Sequence, residues 1–546
     1  MALAANPTFS RASVAYNPDG SQVAVNVPRY QTGKFGQAVM VEEGTTNLIK
    51  NASFEVYTGT NGVADGWGSW TDGTNVTASF SVDTTVYRPS GVKSQKIAIT
   101  ASTATNSDYS AIVGQGGIAA VAGNSITGSA YIQGISTNTD VAIALQAFDS
   151  TGAFLGNFAE VHLANAASWT RISVSGTAPT NTATVKMWVG LRVTVAGGTG
   201  TLYVDDAQLE LKPYATSVII AADTTTQAVR SSETLTAPYM QFNNISFSVE
   251  TWFKAPLDNG QPGGDQPILS QDDSNATDKF LHLTIRNGIP HFGFYGDDLD
   301  GTKVVTDNNW HFICFAFDSI TKTQYIYVDG VLDTSRVATS VYLGAVGNTD
   351  IGWVSWGAYT DGLIDDLRIS SVARSASDIL AAHNSGAPLP VDQYTTYKLP
   401  FDDSLVQSPR PWIPAKTNWT AQDYLNYGDF DRIEFNCDAL ATLFQTCGYN
   451  LSLVTNIIRA MSSLDFYDDL NRIEGNILAI FNLCGVNPTG WVTPKTTWSY
   501  DQVFSYTDVN RMEGNELTLY NMVSGIIQEY PICGQGFNIC GVGWYN

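Results

Sequence analysis

Five histidines, His162, His282, His291, His311 and His383, are scattered along the 546 residues, and none stands in an HExxH pattern. GxSxG, phosphate-loop and dinucleotide-binding glycine patterns are absent too. His282 and His311 lie in strand-like runs that account for them. The six cysteines form no CxxC pair and no zinc spacing, and Cys314 in Phe-Ile-Cys-Phe-Ala-Phe reads as a buried thiol. The chemistry that remains is recognition. Sugars stack their apolar faces on aromatic rings while amides and charged groups hold the hydroxyls. By that criterion Trp70, Tyr109 and Tyr131 are candidates, with Gln146 and Arg192 as polar partners. Trp353, Trp356 and Tyr359 form a second aromatic set on a Gly-containing loop. Trp67 and Trp188 read as core tryptophans, since sandwiches commonly bury one or two.

A second constellation repeats. Asp429-x-x-Arg432-Ile-Glu434 recurs as Asp469-x-x-Arg472-Ile-Glu474 and Asp508-x-x-Arg511-Met-Glu513. The arginines stand 40 and 39 residues apart, and Trp419 and Trp498 each precede an arginine by 13. A site of catalysis has no reason to occur three times. Each Asp falls where a helix begins and is placed to cap free amides. Each Arg follows three residues later on the same face, and each Glu points toward a neighbouring helix. The pattern predicts a scaffold of three equivalent helices whose arginines meet carboxylates or helix ends of an adjacent unit.

The surrounding elements divide the chain into regions. Residues 1–45 hold short strand-like runs, too few for a domain alone, and read as an arm that pairs with a neighbour or anchors the protein in an assembly. Residues 46–212 alternate apolar and polar, as in Val141-Ala-Ile-Ala-Leu145-Gln-Ala-Phe148, which predicts an antiparallel β-sandwich. Residues 213–390 predict a second sandwich, including a hairpin turned at Asp329-Gly330. Residues 391–411 are proline-rich and read as a linker. Over 412–546 helical periodicity takes over: Phe430, Ile433, Cys437, Leu440, Ala441 and Phe444 share one face, as do Leu470, Ile473, Ile477, Ile480, Phe481 and Cys484. The expected fold is mainly β, two jelly-roll sandwiches followed by a small α-helical repeat domain.

Composition narrows the function classes. Twenty-eight basic residues against 51 acidic ones give a net charge of −23, which repels nucleic acid and argues against it as a partner. No run of about 18 apolar residues predicts a membrane-spanning helix. The first residues, MALAANPTFSRAS, lack the basic start and apolar core of a signal peptide.

Several motifs resemble known families. Asn47-Leu-Ile-Lys-Asn-Ala-Ser-Phe54-Glu55 with Gly66-Trp67, and the closing Tyr203-Val-Asp205-Asp206-Ala-Gln-Leu209-Glu210, resemble the carbohydrate-binding modules that accompany xylanases and cellulases. That resemblance implies a structural calcium held by Glu55 and Asp206; hydrogen-bonded turn carboxylates are the alternative. Phe247–Phe253, Trp310-His-Phe312, Tyr325–Gly330 and Gly362-Leu-Ile-Asp-Asp-Leu-Arg-Ile369 resemble the laminin-G or concanavalin-A-like lectin fold. The related glycoside hydrolases need a paired-acid Glu-Asp-Glu strand motif, which is absent here, so hydrolysis is not expected. Gly33-Lys-Phe-Gly36-Gln-Ala-Val39 is similar to an N-terminal segment of phage and prophage proteins carrying these two modules. Lys416-Thr-Asn-Trp419 with Arg432, and Lys495-Thr-Thr-Trp498 with Arg511, resemble segments of tail-fibre and baseplate proteins of phages infecting Gram-positive bacteria. The resemblances imply a non-enzymatic, homo-oligomeric protein of a virion or phage-tail-like particle. It would attach to other tail proteins and bind bacterial cell-surface glycan. A purely structural virion component and a secreted carbohydrate-binding protein are the alternatives.

Overall fold

The computed structural model describes residues 6–105, 109–255, 264–345, 347–402, 412–446, 449, 451, 453–455, 466–484 and 487–529. The fold is mainly β, with 40% of residues in strands and 13% in helices.

The alternating run at 141–148 explains the first sandwich. Val141, Ile143 and Leu145 point inward and are fully buried, while Ala142, Ala144 and Gln146 face outward. Two five-stranded antiparallel sheets close on this core. One runs in the order Phe154–Leu163, Thr139–Phe148, Thr184–Val193, Ala111–Ala119, Gly68–Thr71. The other runs Thr170–Thr177, Ser125–Thr137, Thr199–Glu210, Ser94–Ser102, Val76–Asp83.

The second sandwich is larger and draws on both ends of the sequence around the first. Its eight-stranded sheet is built on His311–Asp318, Phe247–Lys254 and Leu363–Ser370. Its seven-stranded sheet ends in the series Asp265–Asp272, Phe280–Arg286, Ile289–Gly293, Asp298–Asp300. Asp329 and Gly330 both take positive φ (53° and 78°), the type I′ geometry that joins two twisted strands, and Thr323–Val328 and Val331–Val337 pair across it.

The expected N-terminal arm is corrected. Thr8–Ser10 pairs with Thr234–Ala237, and Arg29–Thr32 and Gln37–Met40 extend the eight-stranded sheet at Leu363–Ser370. The physical reason is burial: Phe9, Val39 and Val41 join the core of the second sandwich. A buried charge cluster fixes the same segment. Arg11 donates to Glu233, Arg29 bonds both Glu42 and Glu233, and Arg230 lies 2.9 Å from Glu42. The expected linker is likewise corrected in its first half. Thr395–Leu399 pairs with Leu363–Ser370, and Tyr397, Leu399 and Phe401 enter the core. Residues 403–411 lie outside the described residues.

Helix α1 (Ala376–Asn384) packs on the second sandwich with Ile379 buried. Helices α2 (Tyr427–Thr446), α3 (Tyr467–Cys484) and α4 (Tyr506–Glu529) share one apolar core. That core holds Ile433, Cys437 and Leu440 from α2, Ile473, Ile477 and Ile480 from α3, and Met512, Leu519 and Val523 from α4. Cys447, Cys533, Cys540 and the side chain of Cys484 lie outside the described residues.

The repeated motif forms a closed ring through these helices. Arg432 of α2 donates to Glu513 of α4, Arg511 of α4 to Glu474 of α3, and Arg472 of α3 to Glu434 of α2. All three glutamates are fully buried, whereas the arginines keep 16–21% of their side-chain surface. Each arginine also bonds the Asp three residues before it. Those aspartates sit in the first turn of their helices, three residues past the residue whose N–H they accept. Asp429, Asp469 and Asp508 accept the backbone N–H of Asn426, Phe466 and Ser505, the reciprocal half of a capping box.

Candidate functional site

The outward face of the sheet containing Thr139–Phe148 gathers four of the candidate residues. Trp188 stands opposite Gly114 on one neighbouring strand and Ala144 on the other. These small residues leave a trough for the indole; a Cβ at Gly114 would collide with it. Trp188 donates its indole N–H to Gln146 Oε1. The Gln146 amide in turn donates to the Tyr109 hydroxyl at 2.7 Å and to Asn157 Oδ1 at 3.0 Å. Tyr109 meets Trp70 edge to face, with ring centroids 5.7 Å apart, and Trp70 is 43% exposed. Lys186 Nζ lies 4.6 Å from the Trp188 ring. On the same face Arg192 makes a two-pronged pair with its cross-strand neighbour Asp140, beside His162 and Glu160.

The platform is therefore a half-exposed aromatic surface whose amides are held in fixed orientation. Trp188, read from sequence as core, is half-buried on this outer face. Asn157 and Lys186 were not singled out by sequence. The signal was available for Lys186, an outward residue of an alternating strand; Asn157 reaches this face through a β-bulge between it and Ala159, which alternation does not reveal.

Tyr131 belongs elsewhere and is corrected. It lies on the opposite sheet, 7% exposed, with the Arg88 guanidinium 3.3 Å over its ring and its hydroxyl donating to Pro18 O. A ring covered by a cation offers no face to a sugar.

The second aromatic set splits. Trp353 and Tyr359 pair across a short hairpin and pack on the sandwich core, so neither is an open platform. Trp356, at the tip between them, is 38% exposed. It walls a cavity of about 570 Å³ with Asp265, His282, Arg286, Tyr295, Gly296 and Asp298.

Glu55 and Asp206 lie in one acidic cluster. Glu55 Oε1 accepts the backbone N–H of Val92 and Lys93. Asp206 Oδ2 accepts from Arg88 at 2.6 Å and Ser90 at 2.7 Å, while its buried Oδ1 has no hydrogen-bond partner. Burial raises the pKa of Asp205 and Asp206, with Asp206 adding to Asp205 and Glu55 adding to Asp206. Arg88 balances one of these charges. An oxygen-only set with excess negative charge and an orphaned buried oxygen fits a hard divalent cation.

Residues 223–380, within the second sandwich, match the family model of the concanavalin A-like lectin/glucanases superfamily. No curated protein matches the chain. Among solved structures, domain 4 of an extracellular arabinanase from Geobacillus stearothermophilus, in complex with arabinotriose, is 18% identical. That match covers 31% of this chain and 81% of that one, with a TM-score of 0.23. The CBM22-1 xylan-binding domain from Paenibacillus barcinonensis is 12% identical over 31% of this chain and 96% of its own, with a TM-score of 0.22. The enzymatically active domain of a tailspike protein from bacteriophage CBA120 is 12% identical over 30% of this chain and 21% of its own, with a TM-score of 0.23.

Proposed function

We infer that this chain is a non-enzymatic glycan-binding component of a phage tail or tail-like particle, and that the first sandwich makes the contact. The observation that carries the reading is the platform of Trp70, Tyr109, Gln146 and Trp188 on one open sheet face. Its rings suit the apolar face of a pyranose, and the exposed Asn157 amide with the Arg192–Asp140 pair suits hydroxyls around it, while buried Gln146 holds Tyr109 and Trp188 in place. Amides already fixed by neighbours lose little freedom on binding. The particle assignment rests on the repeated Lys-Thr-x-Trp and Arg-x-Glu segments and their likeness to tail proteins. In this reading the helical repeats and the second sandwich serve attachment to other tail proteins and to further copies of the chain. A calcium ion at Glu55 and Asp206 would brace the first sandwich.

The test is binding of the whole protein to an array of bacterial cell-wall glycans, with Trp70→Ala and Trp188→Ala beside it. The reading expects saturable binding that each substitution weakens at least tenfold. Binding that both variants retain, or no binding to any wall glycan, refutes it and favours a purely structural role.

A further inference from the structure

His282 and His291 come from adjacent antiparallel strands of the second sandwich, on the sheet face away from its core. Their rings stack with centroids 5.1 Å apart, and their Nε2 atoms face one another at 3.2 Å. The His282 ring lies against Gly293, where any Cβ would collide with it. The far side of each ring fixes its tautomer. His282 Nδ1 is 3.1 Å from the carbonyl oxygen of Phe280, and His291 Nδ1 is 2.5 Å from Asp300 Oδ1. Both of those oxygens only accept, so both Nδ1 atoms carry hydrogen. With the hydrogen on Nδ1, each ring turns its Nε2 lone pair toward the other.

Two facing lone pairs repel unless a cation lies between them. Arg286 Nη1 approaches His291 Nε2 at 3.0 Å but is held chiefly by Asp265, through Nε at 2.7 Å and Nη2 at 3.1 Å. It can give up the histidine and keep its ion pair. A third ligand atom is at hand. Asp298 Oδ1 lies 3.9 Å from His282 Nε2, fixed by the backbone N–H groups of Phe294 and Tyr295. The three ligand atoms all fall within 4.8 Å of one another. With zinc–nitrogen bonds of about 2.0–2.1 Å, tetrahedral geometry sets nitrogens about 3.3 Å apart, close to the observed separation.

We propose that His282, His291 and Asp298 form a binding site for one zinc ion or a similar late first-row divalent cation. The His291–Asp300 contact is the carboxylate–histidine pairing that orients such ligands from behind. Three protein ligands leave a tetrahedral ion one position, and the cavity beside Trp356 is where water or a ligand hydroxyl would take it. The proposal is independent of the glycan reading, whose platform lies on the other sandwich.

The test is calorimetric titration of the chelator-treated, reduced, full-length protein with zinc, repeated with cobalt to read its visible bands. The proposal expects one ion per chain and a four-coordinate cobalt spectrum. His282→Gln and His291→Gln each weaken binding at least about 100-fold. Asp300→Asn, at a side chain 65% exposed and so harmless to folding, weakens it about 10- to 100-fold. His162→Gln, in the separate histidine–carboxylate group of the first sandwich, leaves it unchanged. Absence of stoichiometric binding overturns the proposal. So does binding that survives His291→Gln and Asp300→Asn, since cysteines or the His162 group would then be the ligands.

Discussion

Arg511→Ala is the sharpest perturbation of the helical ring. It removes the guanidinium facing Glu474, whose side chain has no exposed surface. Losing one partner of a buried pair costs about 3–5 kcal/mol, because the other charge is left without compensation. Arg511 keeps 16% of its side-chain surface, so water can enter its place, and the low end, about 3 kcal/mol, applies. Exposed pairs contribute under about 1 kcal/mol, so the two descriptions are separable. Adding Glu474→Gln removes the stranded charge and should recover at least about half of that cost. Arg432→Ala and Arg472→Ala should behave alike, since each faces a glutamate equally buried. The assay is urea unfolding followed by circular dichroism at 222 nm, where helices dominate the signal of an otherwise β-rich chain. A cost below about 1 kcal/mol, or a double variant as weak as the sum of the singles, would refute the ring as a closed set of buried pairs.

Calcium should raise the melting temperature of the whole protein, by the equivalent of about 2.7 kcal/mol at a hundred times its Kd. Glu55→Ala or Asp206→Ala should abolish the rise; a wild-type melt unmoved by chelator would discard the ion. Purified protein should release no reducing sugar from bacterial walls, and steady release that survives repurification would overturn the non-enzymatic reading. Burial raises the Asp365 pKa from 3.8 to about 7, against the N–H of Phe35 that favours its charge. Its folded value exceeds its unfolded one, so its contribution falls as pH rises from roughly 4 to 7. Asp365→Asn should flatten the loss of stability over that interval, and an unchanged slope in urea titrations would show that Asp365 does not titrate there.

Local patterns were legible in the sequence, and pairings across distance were not. Alternation at 141–148 told which side chains face outward, and Gln146 is indeed on the platform face. The same alternation around Tyr131 says nothing about which of two sheets its strand joins, and there Arg88, some forty residues earlier, covers the ring. The short runs within 1–45 looked too few for a domain because the partners of Thr8–Ser10 and Gln37–Met40 are 234–237 and 363–364. Period-two patterning encodes a face but not a neighbour. The helical motif read more clearly, because a three-residue spacing on a helix fixes a shared face. His282 had a sufficient strand explanation and His291 stood only among the scattered histidines; the hairpin register reveals that their rings meet.

The first sandwich interrupts the second in the sequence, and that order sets a timetable for synthesis. Thr8–Ser10 leaves the ribosome long before Thr234–Ala237, and Gln37–Met40 long before Leu363–Ser370. At about 5–20 residues per second, the later strand arrives roughly 11–65 s after the earlier one. Throughout that wait Phe9, Val39 and Val41 have no core, and Arg11 and Arg29 lack Glu233. The inserted sandwich has all its strands by Glu210 and is free to fold meanwhile. Its two ends, Thr45–Asn47 and Ala228–Arg230, then pair with each other and hold the waiting segment beside the strands still to come. A nascent chain stalled before residue 363 would thus carry one finished module and an exposed half-sandwich, the species most prone to capture by chaperones or by another copy of itself.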